Sequence, residues 1–179
     1  MAISATEIFR RHPECLESAV AKLFQEGHDP FNLPGLHFTR ETAESIGINS
    51  IHGGAIIMAG AGMCTGGRVR HHLQHNLGRD DSSIVFVGYA AIGTLARSII
   101  DGAKQVNIFG EDIPVRARIY TINGFSAHAD QAELLAWQKQ TNAKRTFLVH
   151  GEEGVMRQFA AHLADTRVEM PAPNQVFEL

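Results

Sequence analysis

Apolar positions along this chain fall into two alternating rhythms: short runs closed by glycine, and stretches in which apolar residues return every three or four positions. Ala55-Ile56-Ile57-Met58-Ala59 is a continuous apolar run between glycines, and predicts a strand buried on both faces of a parallel sheet. Val69, Leu73 and Leu77 then mark one face of a helix. The unit repeats as a strand over 84–87, a turn over 88–93 and a helix over 94–100, ended by Gly102. Residues 106–109 and 115–120, joined through Gly110-Glu111-Asp112, predict a hairpin. Residues 115–122 alternate in the manner of a half-buried strand, and Ala132, Leu135 and Ala136 begin a helical stripe with Trp137 beside it. A further strand is expected over 147–149 and a helix over 156–163. Nearer the N-terminus, 5–11 and 13–25 read as helices, 36–39 as a short strand and 40–45 as a short helix, and 176–177 forms a last short strand. Strands alternating with helices define an α/β fold with a mostly parallel sheet flanked by helices.

Composition narrows the function classes. The 179 residues suffice for one domain, or one domain and part of another. A net charge of −3 argues against a generally basic nucleic-acid-binding surface, yet Arg68, Arg70, His71, His72 and His75 cluster in one short span. The two cysteines, Cys15 and Cys64, have no metal-ligand spacing and are too few for a disulfide scaffold, so a reducing cytoplasm is expected. No basic-then-apolar leader is present, and no apolar run approaches the ~20 residues that cross a bilayer, so neither secretion nor a membrane is expected.

Three places carry candidate chemistry. Gly60, Gly62, Gly66 and Gly67 lie between a strand and a helix, where free amides and the helix dipole favour a phosphate, and Arg68 and Arg70 would add charge-assisted hydrogen bonds. The competing reading is a tight packing turn. Cys64 and Arg70 also have the spacing of cysteine phosphatases and sulfurtransferases, although Met63 stands where a phosphatase usually has histidine. His71 and His75, four apart, would suit a metal pair, although such a pair is more often a solvated or phosphate-facing helix surface. Finally, Gly124-Phe125-Ser126-Ala127-His128-Ala129-Asp130 puts His128 and Asp130 at a strand-to-helix junction, and Phe147-Leu148-Val149-His150-Gly151-Glu152 puts His150 at another. The plain alternative is that both are ordinary loop histidines among the ten in the chain.

Gly124 to Asp130, followed by Leu148-Val149-His150-Gly151-Glu152, resembles the C-terminal signature of the β-CASP nucleases, the RNA-metabolising metallo-β-lactamases. Gly62-Met63-Cys64-Thr65-Gly66-Gly67-Arg68, Phe86-Val87-Gly88-Tyr89 and Gly93-Thr94-Leu95 are similar to that family's β-CASP domain, in family order over nearly the whole chain. The resemblance implies most of a β-CASP domain over 1–122, and the C-terminal segment of an RNA-metabolising metallo-β-lactamase fold over 123–179. It implies zinc-dependent hydrolysis of RNA phosphodiesters, with two zinc ions in the family and RNA as partner. His150 matches the late histidine that completes the metal site, His128 the histidine facing the scissile phosphate, and Asp130 a residue that orients neighbours by hydrogen bonds. Gly62, Met63, Gly66, Gly67, Arg68 and Ser126 would hold RNA phosphates.

The departures from the family also matter. The His-x-His-x-Asp-His motif that carries the first zinc ligands is missing, as are a later histidine and aspartate, and one histidine cannot hold two zinc ions. The zinc site of this chain is therefore expected to be incomplete and the chain alone inactive. Met1-Ala2-Ile3 followed by Ala5-Thr6-Glu7-Ile8 resembles an interior helix of the β-CASP domain, which implies a truncated gene or a C-terminal fragment. A missing N-terminal metallo-β-lactamase half is then an expected partner. Without it, Phe147, Val149, Phe159 and Leu163 are expected to lack neighbours, and the isolated chain to self-associate, as a homodimer for instance, to be disordered over this tail, or to repack it. Ala90 and Ala96 replace the family's usual glutamine and glycine, which bears on local RNA contacts. The rival function is a non-catalytic RNA- or partner-binding remnant of the same family.

Overall fold

A computed structural model describes residues 2–125 and 128–178. Helix α1 (Ala2–Arg11) is followed by a 3-10 turn (Pro13–Cys15) and α2 (Ser18–Gln25). The single helix expected over 13–25 is split. Pro13 opens a one-turn helix, and the chain extends at Leu16 (φ −90°, ψ 161°) before α2 begins. Helix α3 (Thr42–Gly47) starts with a capping box, in which the Glu41 carboxylate and the Glu44 carboxylate each accept from the other's end of the first turn. It runs into a 3-10 turn (Ile48–Ser50). The strand expected over 36–39 is not formed.

The central part carries α4 (Arg68–Asn76), β1 (Ser83–Val87), α5 (Leu95–Ile100), the strands β2 (Gln105–Ile108) and β3 (Glu111–Pro114), and β4 (Arg118–Ile122). Strands β1 and β4 pair in parallel, from Ser83 beside Arg118 to Val87 beside Ile122. The hairpin differs from the sequence expectation. Its second strand is β3, joined to β2 by the two residues Phe109 (φ 55°) and Gly110 (φ 85°), so the turn has the left-handed pair that matches strand twist. Residues 115–117 belong to no strand, because the Arg116 and Ala117 amides both donate to the Leu77 carbonyl at 3.0 Å.

The apolar run 55–59 is also corrected. It is not a strand, and Ile56 is 90% exposed and Met58 77%. It shares with β1 the wall of a cavity of about 880 Å³ but forms no ladder with it, since among the described residues the only strand beside β1 is β4. Apolar composition marked the run for a sheet; hydrogen bonding to a neighbour, which makes the strand, is absent there.

The core sits among α4, α5, β1 and the hairpin, where Leu77, Ile99 and Ile108 are fully buried and Leu73, Phe86, Ala90 and Ala96 close around them. The C-terminal part is α6 (Gln131–Thr141), β5 (Arg145–Phe147), α7 (Glu153–Ala160) and β6 (Arg167–Glu169), with β5 and β6 parallel. Residues 176–177 form no strand, although Phe177 meets Phe147 edge-on at 5.0 Å. The fold is α/β, built among the described residues as three two-stranded ladders of which two are parallel.

Candidate functional site

The glycine turn is shaped by backbone more than by packing. Ala61 (φ 70°), Cys64 (φ 54°) and Gly67 (φ 74°) take left-handed conformations, and Gly67 is the N-cap of α4, with no side chain capping the first turn. A Cβ placed on Gly60, Gly62 or Gly66 would meet nothing within 4 Å, so these positions are open and the tight-packing reading does not apply to them. Met63 anchors the turn. Its carbonyl accepts from the Ala96 amide at 3.2 Å and its sulfur from the Ala91 amide at 3.1 Å, which docks the turn on the start of α5.

The phosphatase reading fails at Cys64. Its side chain is buried, and burial pushes the thiol up from its ordinary value, the opposite of an activated thiolate.

Arg68 is committed to structure. Its two terminal nitrogens donate to the carbonyls of Thr39 and Arg40, at 2.8 and 2.7 Å. Arg40 in turn pairs with Glu7, and its amide donates to Glu44 at 2.7 Å. This clamp draws the chain before α3 against the start of α4 and leaves a cavity of about 610 Å³ between the two helices. Arg70, His71, His72 and His75 line it from α4, Ser45 and Asn49 from the α3 side, and Phe109 from the hairpin turn. Among the described residues no carboxylate belongs to the lining. The Arg70 guanidinium lies 4.3 Å from the Phe109 ring centre and the His71 ring stacks on it at 4.5 Å. His72 Nε2 is 3.2 Å from Ser45 Oγ. Desolvation holds the His72 imidazole below its ordinary pKa, and the positive fields of His71, His75 and Arg68 add to that.

Phe109, Ser45 and Asn49 escaped the sequence reading. A turn aromatic beside Gly110 was the one signal available for Phe109; nothing in the spacing of Ser45 and Asn49 points to a helix about twenty residues on.

The C-terminal candidates lie elsewhere. His128 is exposed in the bend ahead of α6. Asp130 is the N-cap of α6, accepting from the Glu133 amide at 2.9 Å, while the Glu133 carboxylate accepts from the Asp130 amide at 2.9 Å. His150 follows β5 in a left-handed conformation (φ 63°). Met156 packs over Gly151, where a Cβ would fall 2.9 Å from its Cγ. The Tyr89 hydroxyl donates to the Glu152 carboxylate at the start of α7, tying the turn after β1 to this segment. His128, Asp130 and His150 do not line the cavity beside α4. Ser126 lies outside the described residues.

Zinc needs three or four convergent His, Cys, Asp or Glu side chains. Among the described residues no group of three is placed to hold a metal. His150 and His128 do not amount to a zinc site, and the residues present support no chemical step through zinc. No helix among the described residues is long and apolar enough to cross a membrane.

The turn-and-helix array of the first hundred residues and the His-bearing junctions of the last sixty correspond to two family descriptions. A Beta-Casp domain model matches residues 1–99, and a model described as a Zn-dependent metallo-hydrolase RNA specificity domain matches residues 112–173. The chain belongs to the β-CASP metallo-β-lactamase family and corresponds to its C-terminal region. Among its relatives, Ribonuclease TTHA0252 of Thermus thermophilus is 39% identical over 153 residues, covering 86% of this chain and 35% of the relative. Transcription termination factor FttA of Methanocaldococcus jannaschii is 33% identical over 168 residues, covering 89% of this chain and 26% of the relative. FttA of Thermococcus kodakarensis is 34% identical over 160 residues, 85% and 25% respectively. The chain thus spans about a third of the first relative's length and about a quarter of the other two.

Proposed function

We propose that this chain is the RNA-contacting C-terminal portion of a zinc-dependent hydrolase of RNA phosphodiesters, supplying phosphate contacts and the late histidines His128 and His150 but not a complete metal cage. The carrying observation is the α4 face: an uncapped helix start behind an open glycine turn, continued by Arg70 and three histidines with no carboxylate among them. A phosphodiester beside Gly62, Met63, Gly66 and Gly67 would meet backbone amides at the positive end of α4. Arg68 contributes by holding α3 in place, and what remains free for RNA is its field rather than its terminal nitrogens. His128 would face the scissile phosphate as a hydrogen-bond donor, His150 would face the metal side, and Asp130 would fix the start of α6 beside His128. The names of the relatives, a ribonuclease and a transcription termination factor, favour RNA as the substrate class.

The proposal divides the chain at the end of β4, into 1–122 and 123–179, and has a metallo-β-lactamase half as the partner that brings the remaining ligands. Two cysteines without a disulfide favour the cytoplasm as its setting.

The test combines fluorescence anisotropy on labelled single-stranded RNA at rising salt, a cleavage assay, and zinc per chain by elemental analysis. Expected are binding that weakens with salt, with a log–log slope of about −0.7 per phosphate contacted, no cleavage, and no stoichiometric zinc. Binding indifferent to salt would overturn it. Two zinc ions per chain together with cleavage, both lost in His150→Ala, would instead show a nuclease complete in this chain and overturn the proposal.

A further inference from the structure

We infer that the cavity between α3 and α4 is a phosphate-binding site in its own right, distinct from the glycine turn's amides and from His128 and His150. Its anion contacts are the guanidinium of Arg70 and the imidazoles of His71, His72 and His75, all of which line the cavity. The inference rests on the proposed function only for the source of the phosphate.

Three observations meet at this cavity. First, among the described residues no carboxylate lines it and Arg70 takes part in no ion pair, while the Glu44 carboxylate outside the lining lies in the field of Arg68 and not of Arg70. Second, three side-chain polar atoms among the described residues are shut from solvent without a hydrogen-bond partner, and all three belong to this wall: Asn49 Oδ1, Arg70 Nε and His72 Nδ1. Buried polar groups are rarely left so, and three together mark a charge arrangement that lacks its counterpart. Turning the Asn49 amide over would present its NH2 group instead, so all three become donors toward an oxyanion. Third, Phe109 holds a left-handed backbone (φ 55°) that a bulky side chain rarely adopts, and its ring is contacted by both Arg70 and His71. The ring fixes the guanidinium plane and one imidazole on the cavity wall.

Phosphate fits this chemistry better than a carboxylate. It is tetrahedral and offers several oxygens to donors on two helices, and its second ionisation, near pH 6, overlaps the range in which imidazoles titrate. Desolvation first, and then the positive fields of His71, His75 and Arg68, hold the His72 imidazole below its ordinary pKa; a bound oxyanion would offset those fields. The phosphate could come from an RNA backbone, a singly charged diester, or from a free phosphate monoester, which alone has the second ionisation; both offer tetrahedral phosphate oxygens to the same donors.

The experiment follows the histidine imidazole resonances by NMR while the full chain is titrated with inorganic phosphate, and then with an unphosphorylated single-stranded oligoribonucleotide. Saturable shifts at His71, His72 and His75 are expected, with affinity for phosphate lowered about tenfold in Arg70→Gln. Arg116→Gln, an exposed arginine outside the cavity, should leave binding unchanged. His75→Gln, at an exposed position, keeps the test valid if loss of the Phe109 contact unfolds the arginine variant. No saturable shift, or shifts unchanged in both variants, overturns the site. Displacement of phosphate by the oligoribonucleotide supports the site with RNA as its source. Phosphate binding without displacement supports it with a free phosphate ester, and removes RNA from this face. Oligoribonucleotide binding untouched by either variant, with no phosphate shift, overturns the site while leaving the proposed function standing.

Discussion

Arg68 and Arg70 stand two residues apart at the start of one helix and do unlike things: the first spends its guanidinium on two carbonyls, the second lies on an aromatic ring with a nitrogen unpaired. Sequence reasoning treats them as one basic cluster, because type and spacing carry charge but not partners. His72 offers a residue-scale prediction. Its folded pKa lies below the ordinary 6.5, so the folded state keeps it neutral where the unfolded chain has begun to take up a proton. The unfolded state then binds more protons, and stability falls as pH drops through 6.5 toward the depressed value. Urea midpoints measured from about pH 7.5 to 5 should fall more steeply in the wild type than in His72→Gln. Parallel curves would mean that His72 is not the group responsible.

At the scale of elements, local chemistry explains α6 well. Asp130 and Glu133 close a capping box, a pattern legible in the sequence three residues apart, and Asn142 in a left-handed conformation ends the helix. Asp130→Ala should cost about 1 kcal/mol of stability, whereas Asp130→Asn, which keeps an accepting oxygen, should cost only a few tenths, about 0.3 kcal/mol. Equal losses in chemical denaturation would show that the carboxylate acts through something other than the cap. The hairpin and the run 55–59 show the limit of local reading. Gly110 announces a turn, but the turn residues are Phe109 and Gly110 rather than 110–112, which shifts the second strand to 111–114. The run 55–59 has a strand's composition and no ladder partner.

For the whole molecule, burial is uneven. Between residues 128 and 178 only Leu163 is buried; Phe147 and Phe159 are half-buried and Val149 is 66% exposed, so the expected shortage of neighbours holds for some of these side chains and not for Leu163. One face of the β1–β4 ladder exposes Val85, Val87, Tyr120 and Ile122 together, a contiguous apolar surface of the sort that marks an interface. The isolated chain is predicted to self-associate through it. Sedimentation velocity over a concentration series should show a rising weight-average mass, reduced in Val87→Lys. A monomer at every concentration would refute this.

By itself the sequence determined the α/β class, the alternation of helix and strand from α4 onward, the glycine turn that opens α4 and the family, because each depends on residue types at fixed local spacing. Ala90 and Ala96 illustrate the boundary. As departures from a family pattern they raise a question about RNA contacts, while in the fold both methyl groups are buried in the core. Tertiary structure alone decided that Cys64 is buried, that Arg68 is a clamp, and that Ser45, Asn49 and Phe109 meet α4 around one cavity. Those facts depend on which distant segments come together, and contact across tens of residues leaves no periodic trace in a single sequence.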